Sequence, residues 1–154
     1  MPQPSTVPPL PHTGIHDSEL CLNGRPPDWR NPQPREPYHL LVIGAGPAGL
    51  MAARAAAARG ARVALIEKHK MGGDCLNTGC VPSKALIRSA KILNYMKRGE
   101  EFGLENAAIK VDFQKVMNRV QKVIQSIEPH DSVERYTKLG VECITGSARI
   151  RSPY

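Results

Sequence analysis

The sequence predicts an α/β domain, a parallel sheet with flanking helices, preceded by a proline-rich N-terminal arm. Three observations predict it. Leu40-Leu41-Val42-Ile43 is a short apolar run that stops at a glycine, the mark of a strand in a buried parallel sheet. Leu50 to Arg59 is alanine-rich, lacks any β-branched residue and is followed by Gly60, which reads as a strong helix and its stop. Arg62-Val63-Ala64-Leu65-Ile66 is a second apolar run. Strand, glycine turn, helix and strand within about thirty residues make a βαβ unit.

The 154 residues suffice for one domain with a hydrophobic core. An apolar content of 41% argues against disorder of the whole chain, and an aromatic content of 5% argues against a base-stacking nucleic-acid platform. The formal net charge of +7 is spread along predicted helices such as Lys91 to Arg98 and Lys115 to Lys122. It therefore reads as solvated faces, and a diphosphate ligand would suit it. No nucleic-acid partner is expected.

The four cysteines, Cys21, Cys75, Cys80 and Cys143, are too sparse for a stapled secreted fold. One close pair fits a reducing compartment, where such a pair is catalytic or metal-binding more often than structural. No basic region followed by an apolar stretch opens the chain. No run approaches the ~18 apolar residues of a spanning helix. A cytoplasmic location is the expectation.

Residues 1–37 read as the arm. Prolines at 2, 4, 8, 9, 11, 26, 27, 32, 34 and 37 exclude regular helix or sheet there. Trp29 and Leu20 could pin the arm to the core; a loosely attached extension is the alternative. Beyond the βαβ unit, Ser83 to Lys97 reads as a helix with Pro82 just before it. Asp112 is a candidate N-cap for the next helix. On that helix Phe113, Val116, Met117, Val120, Val123, Ile124 and Ile127 share one face, expected to pack on the sheet. Val133 to Leu139 reads as a short helix stopped by Gly140, Val141 to Thr145 as a third strand, and Ala148-Arg149-Ile150 as the start of another.

Gly44-Ala45-Gly46-Pro47-Ala48-Gly49 satisfies G-x-G-x-x-G between a predicted strand and a predicted helix, the context that gives the motif meaning. Gly44 allows the tight turn, Gly46 lets a pyrophosphate approach the backbone, and Gly49 lets helix and strand pack closely. The anion then meets the free N–H groups and the dipole at the helix start. Glu67 ends the second strand, where a carboxylate can accept ribose hydroxyls and would repel a 2′-phosphate. The unit is thus a Rossmann-like dinucleotide site. Arg54 and Arg59 read as residues of the solvated helix face.

Cys75 and Cys80 lie in Gly72-Gly73-Asp74-Cys75-Leu76-Asn77-Thr78-Gly79-Cys80-Val81-Pro82-Ser83-Lys84. The spacing is not the Cys-x2-Cys of zinc ribbons, and no second Cys or His pair follows, so zinc is the minor alternative and no metal site is expected. Two thiols at short spacing can form a redox disulfide. A helix starting near them would favour a thiolate. Lys84, one helical turn beyond Cys80, could stabilise that charge; a solvent lysine is the plainer reading.

Taken together these motifs resemble the class I pyridine nucleotide-disulfide oxidoreductases, over Tyr38 to Arg151. The wording of Gly73 to Ala90, and of Ile127 to Ser132, is most similar to the mercuric reductase-like branch, and Ser83 before Lys84 matches both that branch and the dihydrolipoamide dehydrogenase-like one. The resemblance implies that 38–154 is the N-terminal part of an FAD-binding domain carrying the redox disulfide. Gly44, Ala45, Gly46, Pro47, Ala48 and Gly49 would wrap the FAD pyrophosphate. Glu67 and Lys68 would meet the adenosine, as would the turn at Gly146 and Ser147. Gly73 and Asp74 would border the pyrophosphate, Asp74 standing where the family usually has Thr. Cys80 would face the flavin as charge-transfer thiol, Cys75 would meet substrate, and Lys84 would lie near the flavin ring.

The implied activity is transfer of electrons from NAD(P)H through FAD to the Cys75–Cys80 disulfide, then to a disulfide, dithiol or soft metal ion. Mercuric ion, dihydrolipoamide and an unknown disulfide stay open as substrates. The family's NAD(P)H domain and dimer contacts would lie beyond Tyr154, so the chain is expected to be one part of a longer, homodimeric enzyme. The alternatives are a catalytically incomplete nucleotide-binding fragment and an NAD-dependent dehydrogenase, in which the cysteine run would have no role.

Overall fold

A computed structural model describes residues 23–105 and 109–152, and Leu20 and Cys21 lie outside the described residues. The chain forms two compact units, one of residues up to Gly73 and from Glu128 onward, the other of Asp74–Ile127. Among the described residues no helix is long and apolar enough to cross a membrane.

The first unit holds a parallel sheet of β1 (Leu40–Ile43), β2 (Val63–Glu67) and β3 (Val141–Thr145), in that order. Leu40 pairs with Val63 and Val63 with Val141, so each strand brings its apolar alternation into line with the next. Leu40, Val42, Val63, Leu65, Val141 and Cys143 share one face. With Ala45, Leu50, Ala53, Met71 and Tyr136 they make the core. Burying each large aliphatic side chain there contributes roughly 1.5–3 kcal/mol. On the other face Leu41 and Ile43 remain exposed.

Helix α1 (Pro47–Ala57) starts directly after Gly46, with Pro47 in its first turn and no side-chain cap on Gly46. It therefore begins three residues before the alanine-rich stretch suggests, because proline has the right φ and no N–H to leave unpaired. Leu50 and Ala53 turn inward. The helix ends at Ala57, two residues short of the predicted Arg59, and the turn that closes it has Gly60 at φ +79°. Gly60 N–H bonds to Ala57 C=O and Ala61 N–H to Ala56 C=O, a Schellman arrangement.

Helix α5 (Val133–Lys138) is capped by Ser132, whose hydroxyl accepts the Arg135 N–H at 3.1 Å. Gly140 follows with φ +84°. The stretch Ala148–Ile150 is not a strand: no partner strand pairs with it among the described residues, and three residues cannot hold a ladder alone.

The segment before β1 is firmly attached. The Trp29 indole N–H donates to Cys143 C=O at 3.1 Å, and Asn31 exchanges two hydrogen bonds with Thr145. Tyr38 donates to Glu142 at 2.6 Å, which pushes its pKa up to about 12, with burial adding to the effect. For the described part of the arm, residues 23–37, the structure shows attachment through Trp29.

In the second unit α2 (Gly73–Asn77, whose first residue closes the other unit) leads into α3 (Cys80–Lys97), and α4 (Phe113–Ile127) packs against α3. Helix α3 begins at Cys80, three residues before the predicted start, with Pro82 inside its first turn. Proline is harmless there because first-turn N–H groups have no helical acceptor. Asp112 caps α4 as predicted, accepting Lys115 N–H at 3.1 Å. Val120 and Ile124 of the apolar stripe are buried, but the partner of that stripe is α3, not the sheet. Phe113, at its N-terminal end, is exposed. Periodicity predicts an apolar face, not which surface will cover it.

Candidate functional site

The predicted site residues divide between the units: Gly44 to Gly49, Glu67, Lys68, Gly73, Gly146 and Ser147 in the first, Asp74, Cys75, Cys80 and Lys84 in the second.

The glycine turn is built by backbone bonds to β2. Gly44 N–H donates to Ile66 C=O at 2.8 Å and continues the ladder one residue past β1. Gly44 has φ +97°, a conformation that favours glycine. Ala45, fully buried, donates its N–H to Glu67 Oε2 at 2.7 Å. Gly49 is forced by packing: a Cβ there would lie 2.0 Å from Gly44 O. At Gly44 and Gly46 a Cβ would meet nothing within 4 Å. Glycine at 46 thus leaves open space over an uncapped helix start, which fits the approach of a pyrophosphate.

Glu67 has a role that the sequence did not disclose. Its Oε1 accepts His69 N–H at 2.7 Å while Oε2 takes Ala45. Two charge-assisted bonds therefore hold a buried carboxylate. A carboxylate has about four acceptor positions, so each oxygen keeps one further acceptor position. Gly146 N–H donates to Glu67 C=O at 2.9 Å, which brings the predicted turn after β3 beside the end of β2. Lys68 and Ser147 are exposed, as are Pro47 and Ala48. Gly73, with φ +57°, backs onto the glycine turn: a Cβ on it would stand 2.9 Å from Gly46 Cα.

In the second unit a tight hairpin folds the two thiols together. Asp74 C=O accepts the N–H of Thr78 at 2.9 Å and of Gly79 at 2.6 Å. A Cβ on Gly79 would be 2.9 Å from that oxygen, so only glycine fits. Asp74 contributes this carbonyl while the residue itself is exposed. Cys80 opens α3 and is exposed; Cys75 is half-buried; both are free thiols. The Cys75 thiol is pushed up, chiefly by hydrogen bonding with the Cys80 side chain, with burial and the Cys80 charge adding to it. The Lys84 ammonium acts the other way on Cys75, which places it close enough to be felt by the pair. Two neighbouring thiols with a lysine near them are competent to lose two electrons and two protons and close a disulfide.

Cys143 is unlike this pair. It lies in the core and burial pushes its pKa up to about 11, so it is a structural thiol.

Comparison with known proteins follows the same lines. Residues 38–149 match the family described as pyridine nucleotide-disulphide oxidoreductase. A dihydrolipoyl dehydrogenase of Bacillus subtilis (strain 168) is 38% identical over 117 residues, 75% of this chain and 24% of that protein. A second dihydrolipoyl dehydrogenase of the same organism is 47% identical over 90 residues, 57% of this chain and 20% of the relative. That of Acholeplasma laidlawii is 36% identical over 116 residues, 75% of this chain and 34% of the relative. Among solved structures, LpdA from Mycobacterium tuberculosis superposes with a TM-score of 0.58 at 29% identity, over 70% of this chain and 23% of that one. The chain thus spans about a quarter of the length of the first of these relatives.

Proposed function

The chain belongs to the pyridine nucleotide-disulphide oxidoreductase family, and from that premise we propose that it is the FAD-binding, redox-disulfide part of an enzyme that passes electrons from NAD(P)H to Cys75 and Cys80. The observation that carries the reading is the hairpin in which Asp74 C=O accepts the N–H of Thr78 and Gly79, folding the helix that carries Cys75 back before the helix that Cys80 opens.

In this reading the uncapped start of α1 and the open space at Gly46 receive the FAD pyrophosphate. Ala45, Pro47, Ala48, Gly49 and Gly73 surround it, and Glu67, Lys68, Gly146 and Ser147 border the adenosine. FAD supplies two-electron transfer when bound. Cys80, exposed at a helix start, is the thiol that faces the flavin, and Cys75 the one that meets substrate. Reduction of their disulfide takes two electrons and two protons and leaves two thiols. Lys84 holds positive charge beside the pair.

The substrate class that the relatives' names favour is a small dithiol and its disulfide. A soft metal ion of the mercuric type is the second reading. The wording of Gly73 to Ala90 supports it, and a neighbouring thiol pair can chelate such an ion. NAD(P)H as donor, a homodimeric assembly and a cytoplasmic location belong to the same proposal, for the whole protein. An NAD-dependent dehydrogenase finds no support in the cysteine hairpin.

Anaerobic reductive titration tests the core of this reading. FAD-loaded wild type, first oxidised so that Cys75 and Cys80 are joined, should take up about two electron equivalents more than its identically treated Cys80→Ser variant, because only wild type has a disulfide to reduce. Equal uptake, or a purified chain that neither retains nor binds flavin, sinks it. Lipoamide against mercuric ion as final acceptor, with NADH or NADPH as donor, then decides the substrate.

A further inference from the structure

We propose that residues 23–31 are a positioning strap for the dinucleotide-binding unit, holding the turn at 70–73 and the end of β3 in the arrangement that receives the nucleotide. The inference rests on the dinucleotide-binding reading above and assigns a part in it to the proline-rich arm.

The strap is fixed at two points. At the first, buried Gly24 donates its N–H to Glu128 Oε1 at 3.3 Å, and its C=O accepts Met71 N–H at 3.0 Å. Glu128 is itself buried. Desolvation raises its pKa, and the N–H groups of Gly24 and Asn23, the charge of Lys70 and the Asn23 side chain counter that effect. Met71 is buried in the core, and two residues further on Gly73 touches the backbone of Gly46. A shift at Gly24 is therefore passed through Met71 and Gly73 to the glycine turn, because no side chain lies between the last two to absorb it.

At the second point Asn31 acts as a substitute strand. Its Oδ1 accepts Thr145 N–H at 2.8 Å and its Nδ2 donates to Thr145 C=O at 2.9 Å. These are the two bonds that a neighbouring strand would make with the edge of β3. Thr145 is paired in register with Glu67, whose carboxylate holds Ala45. Trp29 secures the segment between, through Cys143 C=O. The strap thus borders the carboxyl ends of β2 and β3, the place where ligands bind in open parallel sheets. Its residues touch no reacting atom and act through Met71 and Thr145.

Trp29, the chain's one tryptophan, reports on the strap directly. In the whole chain, Asn31→Ala and Glu128→Ala should each move its emission to the red. Each should also weaken FAD binding about five-fold or more, the worth of one or two lost hydrogen bonds, with far-UV circular dichroism unchanged. A strap that merely adds stability would lower the urea midpoint and leave FAD affinity alone, and that result overturns the proposal. Unshifted emission in both variants overturns it as well. If wild type takes up no FAD, the functional reading fails separately, and amide exchange decides the strap: lost protection at Met71 and Thr145 in both variants supports it, and unchanged protection overturns it.

Discussion

The Glu67 carboxylate accepts the backbone N–H of Ala45 at 2.7 Å, tying the end of β2 to the turn that follows β1. The bond is buried and charge-assisted, and the other carboxylate oxygen holds His69 N–H. Glu67→Ala would leave the buried Ala45 N–H and the partly buried His69 N–H without their acceptor, at a cost of about 3 kcal/mol. Glu67→Gln keeps one carbonyl oxygen and turns an amide N–H toward the other donor, so it should cost about as much as losing one of the bonds. Urea unfolding of the three proteins checks the order. Equal stability of wild type and Glu67→Ala would show that the carboxylate does not hold the turn.

Two glycines of one motif should fail in opposite ways. Gly49→Ala pushes a methyl to within 2.0 Å of Gly44 O, a contact that backbone cannot relieve without moving the turn, so the variant should lose its thermal transition or unfold many degrees lower. At Gly46 the φ is −76° and a Cβ meets nothing within 4 Å. Gly46→Ala should keep the wild-type melting temperature and lose flavin, because its methyl occupies only the space that the pyrophosphate needs. Melting curves and flavin content of the two purified variants check this. Full flavin in Gly46→Ala places the cofactor elsewhere.

What the sequence made legible is what local pattern encodes. Leu40–Ile43 is an apolar run and Val141–Thr145 an alternating one, each bordered by glycine, and both are strands of those bounds. The start of α3 lies before the place the sequence suggests because Pro82 reads as a boundary, although a first helical turn accepts it. The α4 stripe is legible as a face and not as a contact with α3. Asn31 and Thr145 stand 114 positions apart, and nothing in a run of prolines marks one asparagine as a surrogate strand. Glu67 is legible as a ribose acceptor, while its bond to Ala45 is not, since one carboxylate at a strand end can serve either purpose.

The pair Cys75 and Cys80 gives a prediction in pH. Cys75 keeps its proton to higher pH than an ordinary thiol, chiefly because it is hydrogen-bonded to Cys80 and partly because the Cys80 charge opposes a second thiolate. Cys80→Ala removes both causes. Alkylation of Cys75 by iodoacetamide, followed by mass spectrometry, should therefore rise at lower pH in that variant than in wild type. An unmoved profile would mean that the thiols do not interact. Mild oxidation of wild type should join these two and leave Cys143 alkylatable only after unfolding, as its burial requires.

Cys143 itself ties stability to pH above neutrality. Its folded pKa of about 11 lies above the 9.0 of a free thiol. Between these values the unfolded chain has given up a proton that the folded chain retains, so the folded state binds more protons and stability falls as pH rises. The loss sets in near pH 9 and levels off near 11, and a gap of about two units corresponds to roughly 3 kcal/mol at most. Cys143→Ala removes this titration while shrinking the core. It should be less stable than wild type at pH 7, by about 1 kcal/mol for the lost sulfur contacts, and should lose less between pH 9 and 11. Chemical denaturation at three pH values measures both. Parallel curves for the two proteins would assign the alkaline loss to other groups, Tyr136 first among them, since burial raises its pKa too.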